Sequence, residues 1–257
     1  MTGVFGQGDF DVRFDWGPQG ADALGADVSV IVDVLSFSTS VTIAVERGMR
    51  VFPYRWRDAG ATEFAASHDA VLAVGRLESA KAGAVVAPSL SPAGLLECAV
   101  EPRIVLPSPN GSTIAAGLAD AGSMVVIGCL RNAGAVARWL CRRLDEGLSV
   151  GVVAAGERWG SDDSLRPALE DQLGAGAILS ALRARGYGDR FSVESTAAAV
   201  VFDGLASTLM ETMQACVSGQ ELAAKGYSAD IEVAAALDVS SVVPALTDGS
   251  FNPSMEE

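Results

Sequence analysis

Short runs rich in Val, Ile and Leu alternate with Ala-rich stretches of helical length through the first two thirds of the chain. Val28–Val34, Arg50–Tyr54, Ala70–Val74, Arg103–Leu106, Met124–Ile127 and Leu148–Ala154 each read as a strand. Their apolar character is continuous rather than alternating, which indicates burial on both faces, as in a sheet covered by helices on each side. Between them, Ser38–Arg47, Asp58–Ser67, Thr113–Ala121, Ala133–Asp145 and Pro167–Arg185 read as helices. Gly48 and Gly186 stand where a helix C-terminal glycine belongs, and Pro167 fits a first helical turn. From about Glu194 the chain reads as more helical, with a short strand expected near Ile231–Ala235. The alternation predicts an α/β fold in three layers, α/β/α, around a mostly parallel or mixed central sheet. There is no internal repeat, low-complexity segment or linker, so residues 1–257 are read as a single domain.

Composition narrows the partners. The chain carries 32 Asp+Glu against 18 Lys+Arg, a formal net charge of −14, with 49% hydrophobic residues. A disordered chain would be poorer in apolar residues. A nucleic-acid binder needs a cationic surface, and no Lys/Arg run supplies one here. The first residues carry acids where a secretion signal needs a cationic start. No run of about 18 uninterrupted apolar residues is present for a membrane span. Cys98, Cys129, Cys141 and Cys216 share no C-x-x-C spacing and have the lone His68 for company, which argues against a disulfide framework or structural zinc. The expectation is a cytoplasmic protein with buried free thiols and no nucleic-acid or membrane partner.

In open α/β sheets ligands sit beyond the carboxyl ends of the strands, so the residues following each strand are the informative ones. After Val28–Val32 comes Asp33, then the hydroxyl-rich helix start Ser36-Phe-Ser38-Thr39-Ser40. After Arg103–Leu106 comes Asn110-Gly111-Ser112-Thr113. After Met124–Ile127 comes Arg131-Asn132, and after Leu148–Ala154 come Gly156-Glu157-Arg158 and then Glu170-Asp171. If these strands run parallel, four ends deliver carboxylates, amides, hydroxyls and an arginine to one edge.

Helix N-termini attract phosphate and carboxylate through unpaired N–H groups. The turn at Asn110, Gly111 and Ser112 suits that task, and Arg131 with Asn132 would add a cation and an amide; ordinary helix caps account equally well for Asn110, Ser112 and Asn132. Asp33, at the end of a buried run, needs a partner or a proton. A Mg²⁺ ion, which favours one or two carboxylates plus water and phosphate, would supply one, and a capping role for Asp33 is the alternative. Glu170 and Asp171 are adjacent on a helix and diverge by about 100°. Gly174 and Gly176 lie within the same helix, where each costs about 1 kcal/mol relative to Ala, so backbone must approach another helix or a ligand there. No G-x-S-x-G elbow, Walker-type loop or cysteine-phosphatase signature is present. What remains is acid- and metal-assisted chemistry on an anion, or anion binding alone.

The residues so collected resemble a known family. Val30-Ile-Val-Asp33-Val-Leu-Ser-Phe-Ser-Thr39-Ser is similar to a V-I-D-V-L-R-A-T-T-T signature, and Asn110-Gly111-Ser112 to T-N-G-T. Ser91-Pro92, Asn132-Ala133, Ala155-Gly156, Glu170-Asp171, Ala175-Gly176, Asp230-Ile231 and Pro244 follow in the same order. The family is that of the ComB-like 2-phosphosulfolactate phosphatases. The resemblance implies a Mg²⁺-dependent phosphatase of the coenzyme M pathway, with an α/β/α fold, releasing sulfolactate and phosphate. It implies catalytic and metal-holding roles for Asp33, Glu170 and Asp171, and substrate contacts from Ser38, Thr39, Asn110, Gly111, Ser112, Arg131, Asn132 and Glu157. Ser36 stands where the signature has Arg, Arg76 where an A-G-E-R segment has Glu, Leu90 in place of Asn, and Pro109 in place of Thr. These changes leave Arg131, Arg76 and Arg158 to meet a sulfonate, and keep open a non-catalytic small-anion binding protein on the same scaffold.

Overall fold

The computed structural model describes residues 4–55, 58, 60–74 and 88–254. Nine strands form one sheet in the order β1-β7-β2-β6-β10-β11-β3-β5-β4. They are β1 (Val12–Trp16), β2 (Val28–Val32), β3 (Arg50–Tyr54), β4 (Val71–Leu72), β5 (Arg103–Pro107), β6 (Met124–Gly128), β7 (Val150–Ala154), β10 (Pro244–Thr247) and β11 (Ser250–Pro253). Strands β1, β7, β2 and β6 are mutually parallel, as are β3, β5 and β4. The antiparallel pair β10–β11 joins the two blocks and pairs antiparallel with a neighbour on each side. The sheet is therefore mixed.

The continuous apolar runs are explained by cover on both faces. Val28, Val30 and Val32 face one core together with α6 (Ala133–Asp145), α7 (Leu169–Leu182) and α8 (Val193–Leu205). Ile31, Ile127 and Val153 face the other, with α1 (Gly17–Leu24), α2 (Phe37–Glu46), α4 (Pro92–Glu97) and α5 (Gly111–Asp120). The remaining helices are α3 (Gly60–Ser67), α9 (Leu209–Ala215), α10 (Val217–Ala224) and α11 (Ser228–Ala235). This is a three-layer α/β/α arrangement.

Two expectations need correction, and two features went unread in the sequence. Ile231–Ala235 is not a strand but the second half of α11, whose Ile231, Ala234 and Ala235 are buried at helical spacing. Pro167 precedes α7 rather than opening it: the N-cap is Ala168. Strand β1 and helix α1 occupy residues without a continuous apolar run, because β1 sits at the sheet edge and alternates through Arg13 and Asp15. The β10–β11 hairpin turns at Asp248-Gly249, both at positive φ (50° and 73°), the dipeptide and geometry of a tight hairpin.

The two glycines of α7 meet protein, not ligand. A Cβ at Gly176 would lie 2.4 Å from the Ala198 carbonyl of α8, and one at Gly174 would lie 2.6 Å from Val34 Cγ2. They let α7 press onto α8 on one side and onto the end of β2 on the other. The run Val193–Ala215 is long and apolar enough to cross a membrane by length and composition alone, at mean hydropathy 1.2. Here it is broken at a 3₁₀ turn, Ala206–Thr208, and Ala198, Ala199, Phe202 and Met213 are buried in the core.

Candidate active site

The loop after β2 carries Asp33 into the first turn of α2. Asp33 Oδ1 accepts the Phe37 N–H (3.1 Å), so this carboxylate does cap the helix, and Ser38 Oγ accepts the Asp33 N–H (2.9 Å). Ser38 Oγ also donates to the Ile31 carbonyl and Thr39 Oγ1 to that of Val34; both residues are wholly buried. Their hydroxyls hold the β2–α2 turn together.

Next to that turn lies a cavity of ≈ 510 Å³. Among the described residues Asp33, Ser36, Arg55, Ser108, Asn110 and Glu157 line its polar part, and Leu35, Phe37, Leu90 and Pro109 its apolar part. The loops after β2, β3, β5 and β7 meet here, together with the segment that leads into α4 at Leu90. The loop after β5 arrives although its strand belongs to the other block. Three antiparallel steps through β10 and β11 set β5 against the direction of β2, so its end reaches the site from the opposite sense. Asn110 Nδ2 donates to Glu157 Oε2 (3.3 Å) across the cavity. Gly111 lets α5 start against the Phe37 ring, where a Cβ would lie 2.2 Å from Cδ1. Ser112, in the first turn of α5, is buried, and its Oγ has no hydrogen-bond partner.

Glu157 and Asp33 place two carboxylates on one cavity wall system. Burial first, and then the negative charges of Asp33 and Glu170, push the Glu157 carboxyl up from 4.5 to about 7, while Arg166 pulls it back. Asp171 lies beneath. Its Oδ1 accepts the Val34 N–H (2.7 Å) and its Oδ2 the Gly156 N–H (2.8 Å). Burial, then Glu170 and Asp33, raise its pKa, and the two backbone donors oppose the shift. Glu170, also buried, accepts from the Cys216 thiol (3.6 Å).

Several expected site residues therefore stand apart from the cavity lining. Asn132 accepts from Cys129 N–H and donates to the Ile127 and Val242 carbonyls, which fixes the turn into α6. Arg131 Nη1 donates to the Val233 carbonyl of α11, and its buried Nε has no partner. Arg158 pairs with Asp163, at 3.6 Å. Arg76 lies outside the described residues. Asp33, Glu170 and Asp171 feel one another's charge but do not form one ligand set: among the described residues no three His, Cys, Asp or Glu are grouped to hold a metal. The polar lining missed in the sequence is Arg55, at the end of β3, and Ser108, at the end of β5. Each follows an apolar strand directly, and that position was the available signal.

A family model for 2-phosphosulpholactate phosphatase matches residues 19–249. A probable 2-phosphosulfolactate phosphatase of Deinococcus radiodurans is 29% identical over 234 residues, covering 88% of this chain and 90% of that protein. A probable 2-phosphosulfolactate phosphatase of Gloeobacter violaceus is 33% identical over 145 residues, covering 56% of each chain. With the match running through β2, the cavity loops and α7, the chain belongs to the 2-phosphosulpholactate phosphatase family, a family of phosphoric monoester hydrolases.

Proposed function

We propose that this protein is a Mg²⁺-dependent phosphatase that hydrolyses 2-phosphosulfolactate to sulfolactate and inorganic phosphate. The observation that carries the reading is one cavity that combines two carboxylates, Asp33 and Glu157, with the amide of Asn110 and the N-terminus of α5. Carboxylates repel a phosphate; Arg55 lines the same cavity and offsets part of that repulsion, and a divalent cation between the carboxylates and the phosphate would offset the rest.

The donor set suits Mg²⁺: two carboxylates at an open cavity, with room for water and a phosphate oxygen. The raised pKa of Glu157 reports negative charge that a divalent cation would relieve. Asp33 and Glu157 are the residues that would hold the ion. When bound, Mg²⁺ neutralises charge on the phosphoryl oxygens. Asn110 Nδ2 and the first N–H groups of α5 orient those oxygens, and the field of the helix favours the developing negative charge. Leu35, Phe37, Leu90 and Pro109 form the apolar part of the cavity wall. Hydrolysis puts a water oxygen on phosphorus, breaks the ester P–O bond and returns a proton to the sulfolactate oxygen.

The test is release of inorganic phosphate from 2-phosphosulfolactate by the purified protein, with Mg²⁺ and after chelation. Mg²⁺-dependent release is expected. Binding without turnover in both conditions overturns the reading.

The pKa of Glu157 adds a separate expectation. A carboxyl whose folded pKa is raised contributes stability that is present below its unfolded value and lost as pH rises through the folded one. The metal-free protein should therefore lose melting temperature between about pH 4.5 and about pH 7, and Glu157→Gln should flatten that slope. Mg²⁺ should raise the melting temperature more at about pH 8 than at about pH 5, since the ligands must be ionised. An equal Mg²⁺ effect in Glu157→Gln removes Glu157 from the metal site.

A further inference from the structure

The mechanism above uses phosphate groups of the ligand and leaves the rest of it unaddressed. A phosphorylated sulfonated acid carries further negative charge, and cations near the cavity are few. Arg131 is engaged with Val233 O and Arg158 with Asp163, while Arg55 lines the cavity from the end of β3, its guanidinium 3.8 Å from the exposed Asp120 carboxylate.

Among the described residues a second arginine, Arg166, stands on a small hairpin rooted at the site itself. Strands β8 (Glu157–Arg158) and β9 (Leu165–Arg166) form a separate two-stranded antiparallel sheet immediately after the β7 loop. In its register Glu157 stands directly opposite Arg166, and Arg158 opposite Leu165. Directly opposed residues of an antiparallel pair project from the same face, and residues two apart along a strand share that face too. Glu157 and Arg166 are therefore on one side, with Trp159, and the Arg166 guanidinium does lie over the Trp159 ring, 5.8 Å from its centroid. The opposite side is the anchor: Leu165 Cδ1 packs where a Cβ on Gly17 or Gly156 would stand, at 3.2 and 2.8 Å. Packing through Leu165 leaves the other face of the hairpin on the cavity side, because Glu157 lines the cavity and bonds Asn110 there. Arg166 is half-buried and enters no ion pair among the described residues.

We propose that Arg166 is the specificity-determining cation of this site: it receives the carboxylate or sulfonate group of a small phosphate monoester whose phosphate lies between Asp33, Glu157 and the start of α5. This rests on the proposed phosphatase reading for the placement of the phosphate. A guanidinium that pairs two N–H groups with a planar or tripodal anion gives both affinity and orientation. The neighbouring Trp159 ring would hold the guanidinium plane in place.

The experiment compares wild-type protein with Arg166→Gln and Arg166→Lys, in Mg²⁺, on 2-phosphosulfolactate and on phenyl phosphate, a monoester with no second anion. For 2-phosphosulfolactate KM should rise about 10–100-fold in Arg166→Gln, with kcat within about 3-fold and Arg166→Lys in between. Phenyl phosphate kinetics should stay within about 3-fold in both variants when compared at about pH 9, where Glu157 is ionised in each. Equal losses on the two esters, or no loss on either, overturn the assignment. Calorimetric titration of wild-type and Arg166→Gln protein with sulfolactate reads the same contact without turnover. Binding that needs Arg166 in a protein that releases no phosphate overturns the reaction and retains the subsite. Turnover with sulfolactate binding indifferent to Arg166 does the reverse, and a wild-type protein that neither binds nor hydrolyses overturns both.

Discussion

Asp33→Asn is expected to lower kcat for phosphate release by about 10²–10³-fold while leaving the melting temperature nearly unchanged. The substitution separates the two tasks of this side chain. The first is structural: Oδ1 accepts the Phe37 N–H at the start of α2. An asparagine keeps an oxygen of the same shape at that position, so the cap survives, and a lost cap would have cost about 1 kcal/mol. The second task needs charge. An amide cannot hold Mg²⁺ as a carboxylate does, nor balance the cation when a phosphate arrives. Removing one of two neighbouring negative charges also lowers the repulsion that raises Glu157, so the pH dependence of the remaining activity should move toward lower pH. Steady-state kinetics with Mg²⁺ titration checks the rate, and thermal melting checks the fold. A folded Asp33→Asn protein with wild-type kcat would take Asp33 out of the chemistry.

The sequence exposed the strands that are buried on both faces, because burial on both sides erases polar positions. Arg50–Tyr54 was legible to the residue, and β2, β5, β6 and β7 within one or two. Elements that serve edges and joints were harder. Strand β1 is interrupted by Arg13 and Asp15, and β10–β11 announces itself only through Asp248-Gly249. That hairpin matters most, since it divides the sheet, expected as mostly parallel or mixed, into two parallel blocks and so decides which strand ends can meet. The candidate site was legible in its loops and less so in its side chains. Asp33, Asn110 and Glu157 reach the cavity, whereas Ser38 and Thr39 have their polar atoms bonded within their own turn, and Asn132 bonds its own turn and the Val242 carbonyl. A strand-end position marks a residue as near a site. Which way its side chain turns depends on backbone groups far off in sequence, such as the Val242 carbonyl for Asn132 and the Val233 carbonyl for Arg131. Arg166 illustrates the converse: it lies nine residues beyond Glu157, and only the hairpin register brings the two together.

Asp171→Asn should lower kcat by about 10²-fold with a much smaller effect on stability, and the reason lies in the two loops this carboxylate joins. One oxygen holds Val34 N–H, next to Asp33, and the other holds Gly156 N–H, next to Glu157. The separation of the two cavity carboxylates is thus set by the width of a third. Asparagine offers one acceptor oxygen and turns an NH₂ group toward the remaining N–H, so one loop is released. A buried donor left unpaired costs about 1–3 kcal/mol. Against that, the variant removes a buried charge that sits beside Glu170 and Asp33 and is itself held at a raised pKa by burial and by them, so the net change in stability is smaller than either contribution. The kinetic loss has no such offset, because a displacement of about 1 Å at reacting groups costs about 10²-fold in rate. A double-mutant cycle with Glu157→Gln separates positioning from general support. If Asp171 acts by placing Glu157 against Asp33, the second substitution adds little to the first, and the coupling departs from additivity by well over the ~0.5 kcal/mol seen for independent sites. Additive losses in kcat, tracking the loss of melting temperature, would make Asp171 a stabilising residue with no part in setting the geometry of the cavity.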